Sequence, residues 1–264
     1  YSRAAVNGSA LAQGLIWGLH PKGSDKQRTL PESREWLRWA MDPSNAQGNH
    51  ELGLLYLRGN GIFKNTEEAA VWFYQASIQG HAPAQSRLGW MMYKGEIGSI
   101  PSEWHNAEYW LRKSAEQGRG DAQAYLGVLL MNQATSLAEQ QVALGWLERA
   151  ASRGEPFASL HLGRAFLTGR GVRSSASTAS QWFTKAANQG NAEARFELGL
   201  LCRDGRGTLK DLARAYYWFN LAAAQGVRKA LEARDALEPK LTTEELAEAQ
   251  RLSRGPTTRG EGVL

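Results

Sequence analysis

Five histidines, one cysteine and a few close carboxylate pairs are the residues of this 264-residue chain that could do chemistry. His20, His50, His81, His105 and His161 are dispersed, without the His-Glu-x-x-His spacing that sets two imidazoles on one helix face around a metal. Cys202 has no second cysteine to pair with, which excludes an intrachain disulfide and a cysteine-based zinc site. It lies in an apolar helical pattern and reads as a small buried hydrophobe, not a nucleophile. No Gly-x-Ser-x-Gly elbow occurs. Gly59-Asn60-Gly61, Gly169-Arg170-Gly171 and Gly205-Arg206-Gly207 look like phosphate loops, but none runs on to Gly-Lys-Ser/Thr and none follows a strand pattern. Glu67-Glu68 and Glu244-Glu245 stand at helix starts, where the helix dipole accounts for them. Asn7-Gly8-Ser9 is formally a glycosylation sequon. The expectation is a non-enzyme with no catalytic residues, no cofactor and no metal.

Charge narrows the partners. Lys and Arg number 31 against 26 Asp and Glu, a net charge of +5. Arg203, Arg206, Lys210 and Arg214 cluster, with Arg195 nearby, yet Glu197, Asp204 and Asp211 are interleaved. Mixed signs mark a solvated surface, and no aromatic-basic interleaving tracks a nucleic acid strand. No nucleic acid partner is expected. The longest uncharged run, Ala122 to Ala138, is broken by Gln123, Asn132, Gln133, Thr135 and Ser136 and makes a poor membrane span. The chain opens on Tyr1 and not on methionine, which leaves room for a removed leader or a lipid anchor upstream.

The elements that must position these residues form a repeat. Trp36, Trp72, Trp110, Trp146, Trp182 and Trp218 step by 36, 38, 36, 36 and 36 residues. The Leu-Gly pairs ending at Gly53, Gly89, Gly127, Gly163 and Gly199 keep the same period, as do Gly80, Gly118, Gly154, Gly190 and Gly226. The two extra residues fall between Gly89 and Trp110, an insertion placed at Gly98 to Pro101. Each unit reads as two helices: a first such as Ala46 to Gly59, then a turn, then a second such as Glu67 to Gly80 with Thr66 as candidate N-cap. In that second helix Ala69, Trp72, Phe73 and Ala76 share a face. The six in-register tryptophans are expected in the core, because stacked helix pairs bury a continuous apolar interior.

The stretches Ala192 to Gly226 (AEARFELGLLCRDGRGTLKDLARAYYWFNLAAAQG) and Phe157 to Gly190 (FASLHLGRAFLTGRGVRSSASTASQWFTKAANQG) carry a pattern that resembles the Sel-one-like repeat (SLR) family, relatives of tetratricopeptide repeats. The resemblance implies an all-α fold, a right-handed α/α superhelix of about six helix pairs with a C-terminal capping helix at Leu241 to Ser253. It gives one solenoid domain over 1–254, with repeats near 7–45, 46–81, 82–120, 121–155, 156–191 and 192–227, a cap at 228–254 and a flexible tail at 255–264. The usual tyrosine is replaced by Met92, Leu130, Phe166 and Cys202, and the fourth unit lacks the Gly-x-Gly turn.

Positions alike in every repeat serve the fold, and positions that differ are free for something else. Counted from the Leu-Gly glycine, offset −2 holds Glu51, Arg87, Tyr125, His161 and Glu197. Offset +1 holds Leu54, Trp90, Val128, Arg164 and Leu200, and offset +5 holds Arg58, Lys94, Asn132, Thr168 and Asp204. These offsets share one helix face, which the resemblance turns into a concave groove. The candidate partner-binding residues are Glu51, Leu54, Arg58, Arg87, Trp90, Met91, Lys94, Tyr125, Asn132, His161, Arg164, Glu197 and Arg203. Trp90, flanked by Arg87 and Met91, either reads a partner or packs against the insertion.

The expected partner is another protein, held by a non-catalytic scaffold. By family resemblance the finer expectation is a bacterial envelope or secretion-associated binder, periplasmic or lipid-anchored and otherwise cytoplasmic, with toxin neutralisation as an immunity protein the leading specific role. The rival is an envelope scaffold that holds peptidoglycan or another polysaccharide on the off-register tryptophans Trp17, Trp39, Trp90 and Trp104.

Overall fold

The structure, a computed structural model, describes residues 38–59, 63–98, 101 and 104–253. Every regular element among them is helical. The chain divides into two compact units, residues 1–129 and 130–264. Most of the degenerate repeat read at 7–45, with Trp17, Trp36 and the sequon at Asn7, lies outside the described residues, as does the tail 255–264. The first unit holds α1 (Ala46–Arg58), α2 (Thr66–Ile78), α3 (Ala82–Lys94), α4 (Ala107–Glu116) and the start of α5 (Gly120–Gln133). The second holds the end of α5, then α6 (Leu137–Ser152), α7 (Pro156–Thr168), α8 (Ala176–Asn188), α9 (Ala192–Asp204) and α10 (Leu212–Ala223). It closes with α11 (Arg228–Asp235), a single 3-10 turn (Glu238–Lys240) and α12 (Thr243–Ser253). Within the units α1 packs on α2, α3 on α4, α7 on α8 and α9 on α10, while α2 meets α3 and α8 meets α9. The fold is the expected all-α array of helix pairs. The cap is also present: α12 packs on α10, burying Ala249, and Gln250 Nε2 donates to Tyr216 Oη at 3.4 Å.

Local chemistry sets the helix ends. Gly59, Gly95, Gly169 and Gly205 stop the first helices in the left-handed region. The N-cap of α2 is Asn65, whose side chain accepts from the Glu68 amide, so Thr66 is the first helical residue and not the cap. The unit without a Gly-x-Gly turn uses a capping box. Glu139 accepts from the amides of Thr135 and Ser136 at 2.7 and 3.2 Å, and Ser136 Oγ accepts from the Glu139 amide at 3.3 Å. Those bonds, the Thr135 amide foremost, hold the Glu139 carboxyl below the usual carboxylate range.

The centre of each repeat differs from the expectation. Trp110 and Trp218 are buried, but Trp72, Trp146 and Trp182 are only partly so, and Trp36 lies outside the described residues. The fully buried landmark is the next residue: Phe73, Phe183 and Phe219, with Leu111 and Leu147 in the same place. A Cβ on Gly53, Gly163 or Gly199 would stand within 2.7 Å of Phe73, Phe183 or Phe219, and one on Gly89 would stand 2.8 Å from Leu111. The Leu-Gly glycine is therefore the slot into which the second helix lays its ring. The partly buried tryptophans sit further out, with Arg149 over Trp146 at 5.0 Å and Lys185 over Trp182 at 5.2 Å.

Consecutive repeats are stitched by a polar residue four before that glycine. Asn49 Nδ2 donates to the Ala40 carbonyl at 2.8 Å, Gln85 Nε2 to Ser77 at 3.0 Å and Gln123 Nε2 to Ala115 at 3.1 Å. In the second unit Arg195 Nε donates to Ala187 at 3.2 Å. Each acceptor belongs to the end of the preceding second helix; the carbonyls of Ser77, Ala115 and Ala187 also accept from the amides of Gly80, Gly118 and Gly190 at 3.0 Å, so the side chain adds a second bond. Ser159 is too short for this and donates to its own Glu155 carbonyl, while Lys185 Nζ takes the Ala151 carbonyl at 2.8 Å. The second glycine of the turn is a close-approach device. A Cβ on Gly207 would fall 2.2 Å from the Ala176 carbonyl, so the turn can lie against the start of α8.

Candidate protein-binding face

The core ring and the carbonyl stitch fix how one first helix sits beside the next, and so fix where their outward offsets −2, +1 and +5 meet. In the first unit α3 carries Arg87, Trp90 and Lys94 along one line, at spacings of three and four. Trp90 stacks on Tyr125, ring centroids 4.1 Å apart and 17° from parallel. Tyr93 lies 5.2 Å from Trp90, and the Lys94 ammonium stands over the indole at 5.8 Å. Arg87 is partly buried, and its Nε is buried with no hydrogen-bond partner. Arg58 and Lys94 are exposed. Among the described residues none of these three cations lies within ion-pair distance of a carboxylate.

In the second unit the same offsets pair electrostatically. Arg164 Nε donates to Glu197 Oε1 at 3.0 Å, and Nη2 donates to Glu193 Oε2 at 2.9 Å. The residue at +1 thus meets the residue at −2 of the next repeat twice, as Trp90 with Tyr125 and as Arg164 with Glu197. Variation between repeats is partly reciprocal. A pair changes together and stays matched, which the reading of varied positions as free for a partner left out.

Several expected residues are placed elsewhere. Met91 is completely buried among Phe73, Leu88 and Trp110 and cannot touch a partner, because it follows Trp90 onto the inward face of α3. Leu54 packs at the edge of the same core. His161 lies against Phe157 at 4.5 Å, and burial, reinforced by Arg164, pushes its pKa down to about 4. Arg203 is occupied by its neighbour Asp204, through Nε at 2.6 Å and Nη2 at 3.0 Å. Glu51 accepts from Gln47 Nε2 at 2.8 Å, and Asn132 is exposed in the second unit. Trp104, in the loop after the insertion, stacks on Tyr74 at 4.4 Å and 8°.

The histidines are less dispersed than their numbering. His50 and His81 come from adjacent first helices to a centroid distance of 4.8 Å. Nε2 of His81 meets Gln47 Oε1 at 3.0 Å, and its Nδ1 accepts from the Ala84 amide at 3.4 Å, capping α3. Burial, with added pressure from Arg119, Arg58 and Arg87, pushes His50 down to about 4. His81 falls to about 4 for burial first and then for His50 and Arg119. Both imidazoles are neutral near pH 7 and leave the positive charge of this face to the arginines and Lys94. The signal that could have found this pair is that His81, at the N-cap of its first helix, and His50, in the first helix of the preceding repeat, belong to neighbouring first helices.

The family model for the Sel1 repeat matches residues 46–81, 82–118, 120–155, 156–191 and 192–227. The chain belongs to the Sel1 repeat family. These five Sel1 repeats begin with α1, and the degenerate unit before Ala46 is not among the matches. The chain is similar to a Sel1 repeat protein from Oxalobacter formigenes, with 28% identity and a TM-score of 0.65 over 83% of this chain and 94% of that one. It is similar to a protective antigen of uropathogenic Escherichia coli strains that displays an SLR fold, with 27% identity and a TM-score of 0.58 over 100% of this chain and 67% of that one. Over 124 residues it is 36% identical to chitin synthase regulatory factor 3 of Schizosaccharomyces pombe, a stretch that covers 45% of this chain and 13% of that protein. No helix among the described residues is long and apolar enough to cross a membrane.

Proposed function

We propose that this chain is a non-catalytic scaffold that grips another protein through the first-helix face of its first unit, centred on Trp90. One observation carries the reading. That face gathers an aromatic stack and three cations that have no carboxylate partner among the described residues, whereas the matching offsets at Arg164 are closed by an internal ion pair. Aromatic and arginine side chains are what interface hot spots favour. The finer reading is a bacterial, envelope-associated binder that neutralises a secreted toxin. Its support is the family resemblance, together with two bacterial relatives above 25% identity.

A pull-down with Trp90→Ala beside the parent chain tests the coarser reading. A stoichiometric partner should be held by the parent and lost by the variant, at a cost of about 2 kcal/mol in affinity, the hot-spot scale. Equal capture by both removes Trp90 from the site. The polysaccharide alternative is weakened by geometry, since Trp90 and Trp104 each have one ring face covered, by Tyr125 and Tyr74. Retention on insoluble cell wall with no protein partner would reverse that preference.

A further inference from the structure

The cations on α3 have a spacing as well as a sign. Arg87 and Lys94 are seven residues apart on one helix, with Trp90 between them. At ~1.5 Å rise per residue their side chains issue ~10.5 Å apart along the axis. A peptide extended as a polyproline II helix advances ~3.1 Å per residue with three residues per turn, so side chains three residues apart issue from the same side and cover about that span. Arg58 stands on α1 at the same repeat offset as Lys94 and adds a third cation. The acidic groups nearby are engaged: Glu51 accepts from Gln47, and Asp121 is paired with Arg119 at 2.8 Å. Glu96, in the turn beyond α3, is exposed. Charge is also segregated by helix class in this unit. The first helices carry Arg58, Arg87 and Lys94 against Glu51 and Asp121, while α2 and α4 carry Glu67, Glu68, Glu108 and Glu116 against Arg112 and Lys113.

We infer that the first-helix face of the first unit takes an extended acidic segment of the partner protein, with carboxylates three residues apart on Arg87 and Lys94 and an apolar or aromatic side chain between them against Trp90. This rests on the protein-binding reading and names the chemistry of the partner. Arg87 is only partly buried and has no carboxylate within ion-pair distance among the described residues, and a charge-assisted bond made by a partly desolvated guanidinium is stronger than a surface pair. Lys94, exposed and already over the indole, sets the second anchor and the spacing. The Trp90–Tyr125 stack gives the segment a rigid apolar wall that costs little side-chain entropy to order.

The test is peptide display against the full chain, with a random sixteen-residue library, followed by anisotropy titration of the selected peptides on the parent, Arg87→Gln, Lys94→Gln and Trp90→Ala. Circular dichroism checks that each variant keeps its helix content. The selected peptides should be enriched in Asp or Glu pairs three apart with an apolar residue between. Each charge variant should weaken them by roughly tenfold, and raising salt should weaken the parent most. Neutral or basic ligands that still depend on Trp90 would overturn the acidic assignment and leave the protein-binding face standing. Acidic ligands indifferent to Arg87 and Lys94 would overturn it as well. If no selected ligand depends on Trp90, the protein-binding reading of this face falls with it.

Discussion

Replacing Gly163 with alanine should destabilise the second unit, although alanine is the better helix former. In an unencumbered helix interior the exchange favours folding by roughly 1 kcal/mol. At Gly163 the new Cβ would stand 2.5 Å from Phe183 Cε1 and 2.6 Å from Cδ1. Phe183 is completely buried, so its ring cannot step aside without displacing other core atoms. Forcing an extra carbon into such packing costs ~1–3 kcal/mol. Set against the gain in propensity, the net effect runs from near zero to about 2 kcal/mol of destabilisation. Gly145 is the internal control: it lies mid-helix in α6, and a Cβ there meets nothing within 4 Å. Gly145→Ala should therefore stabilise by the full ~1 kcal/mol, so the two variants differ by about 1–3 kcal/mol. Urea unfolding followed by far-ultraviolet circular dichroism reads this as midpoint shifts at constant slope. Adding Phe183→Leu to Gly163→Ala should reveal a coupling of at least ~0.5 kcal/mol in a double-mutant cycle. A Gly163→Ala protein stabilised as much as Gly145→Ala would refute the idea that the glycine exists to admit the ring.

Phe183→Ala should cost ~3–5 kcal/mol as a buried large-to-small change, and Trp182→Ala clearly less; equal losses in urea midpoint would restore the tryptophan as the core landmark. Because folding lowers the pKa of His161 to about 4, the unfolded chain binds more protons between about pH 6.5 and pH 4. Stability should therefore fall as pH drops through that window. His161→Tyr, the residue type found at the matching Tyr125, should flatten the second unit's share of that fall, and an unchanged pH slope would contradict the buried neutral imidazole. Glu139→Gln should lower stability by ~0.5–1 kcal/mol at pH 7 by weakening the capping box, with little effect once both forms are neutral at low pH; thermal melts at the two pH values decide it.

The period of the chain was legible because tryptophan, Leu-Gly and the terminal glycine are all rare enough to stand out at a fixed spacing. Their roles were less legible. A tryptophan marks the period well because it is large and uncommon, yet the deepest position belongs to its neighbour, which is phenylalanine in three repeats and leucine in two others. Chemical variety at that neighbour hid it. The polar residues at Asn49, Gln85, Gln123 and Arg195 differ in type while doing one job, so only their shared polarity in an apolar helix signals the stitch. Trp90 with Tyr125 could be placed on one stripe from offsets alone, but that they touch depends on the rise between neighbouring helices. Met91 was misplaced because a residue adjacent in sequence to an outward tryptophan is turned about 100° around the helix, far enough to enter the core.

The stitch at Gln85 and Gln123 has an evolutionary meaning. Each repeat carries a donor that adds a second bond to the last turn of its predecessor. A segment of this kind can be copied in tandem without redesign, because every copy arrives with the fitting for the one before it. The same asymmetry means that shortening the array from its C-terminal side removes that second bond from the last turn left behind, whereas a new final segment restores it with a single well-placed amide or guanidinium.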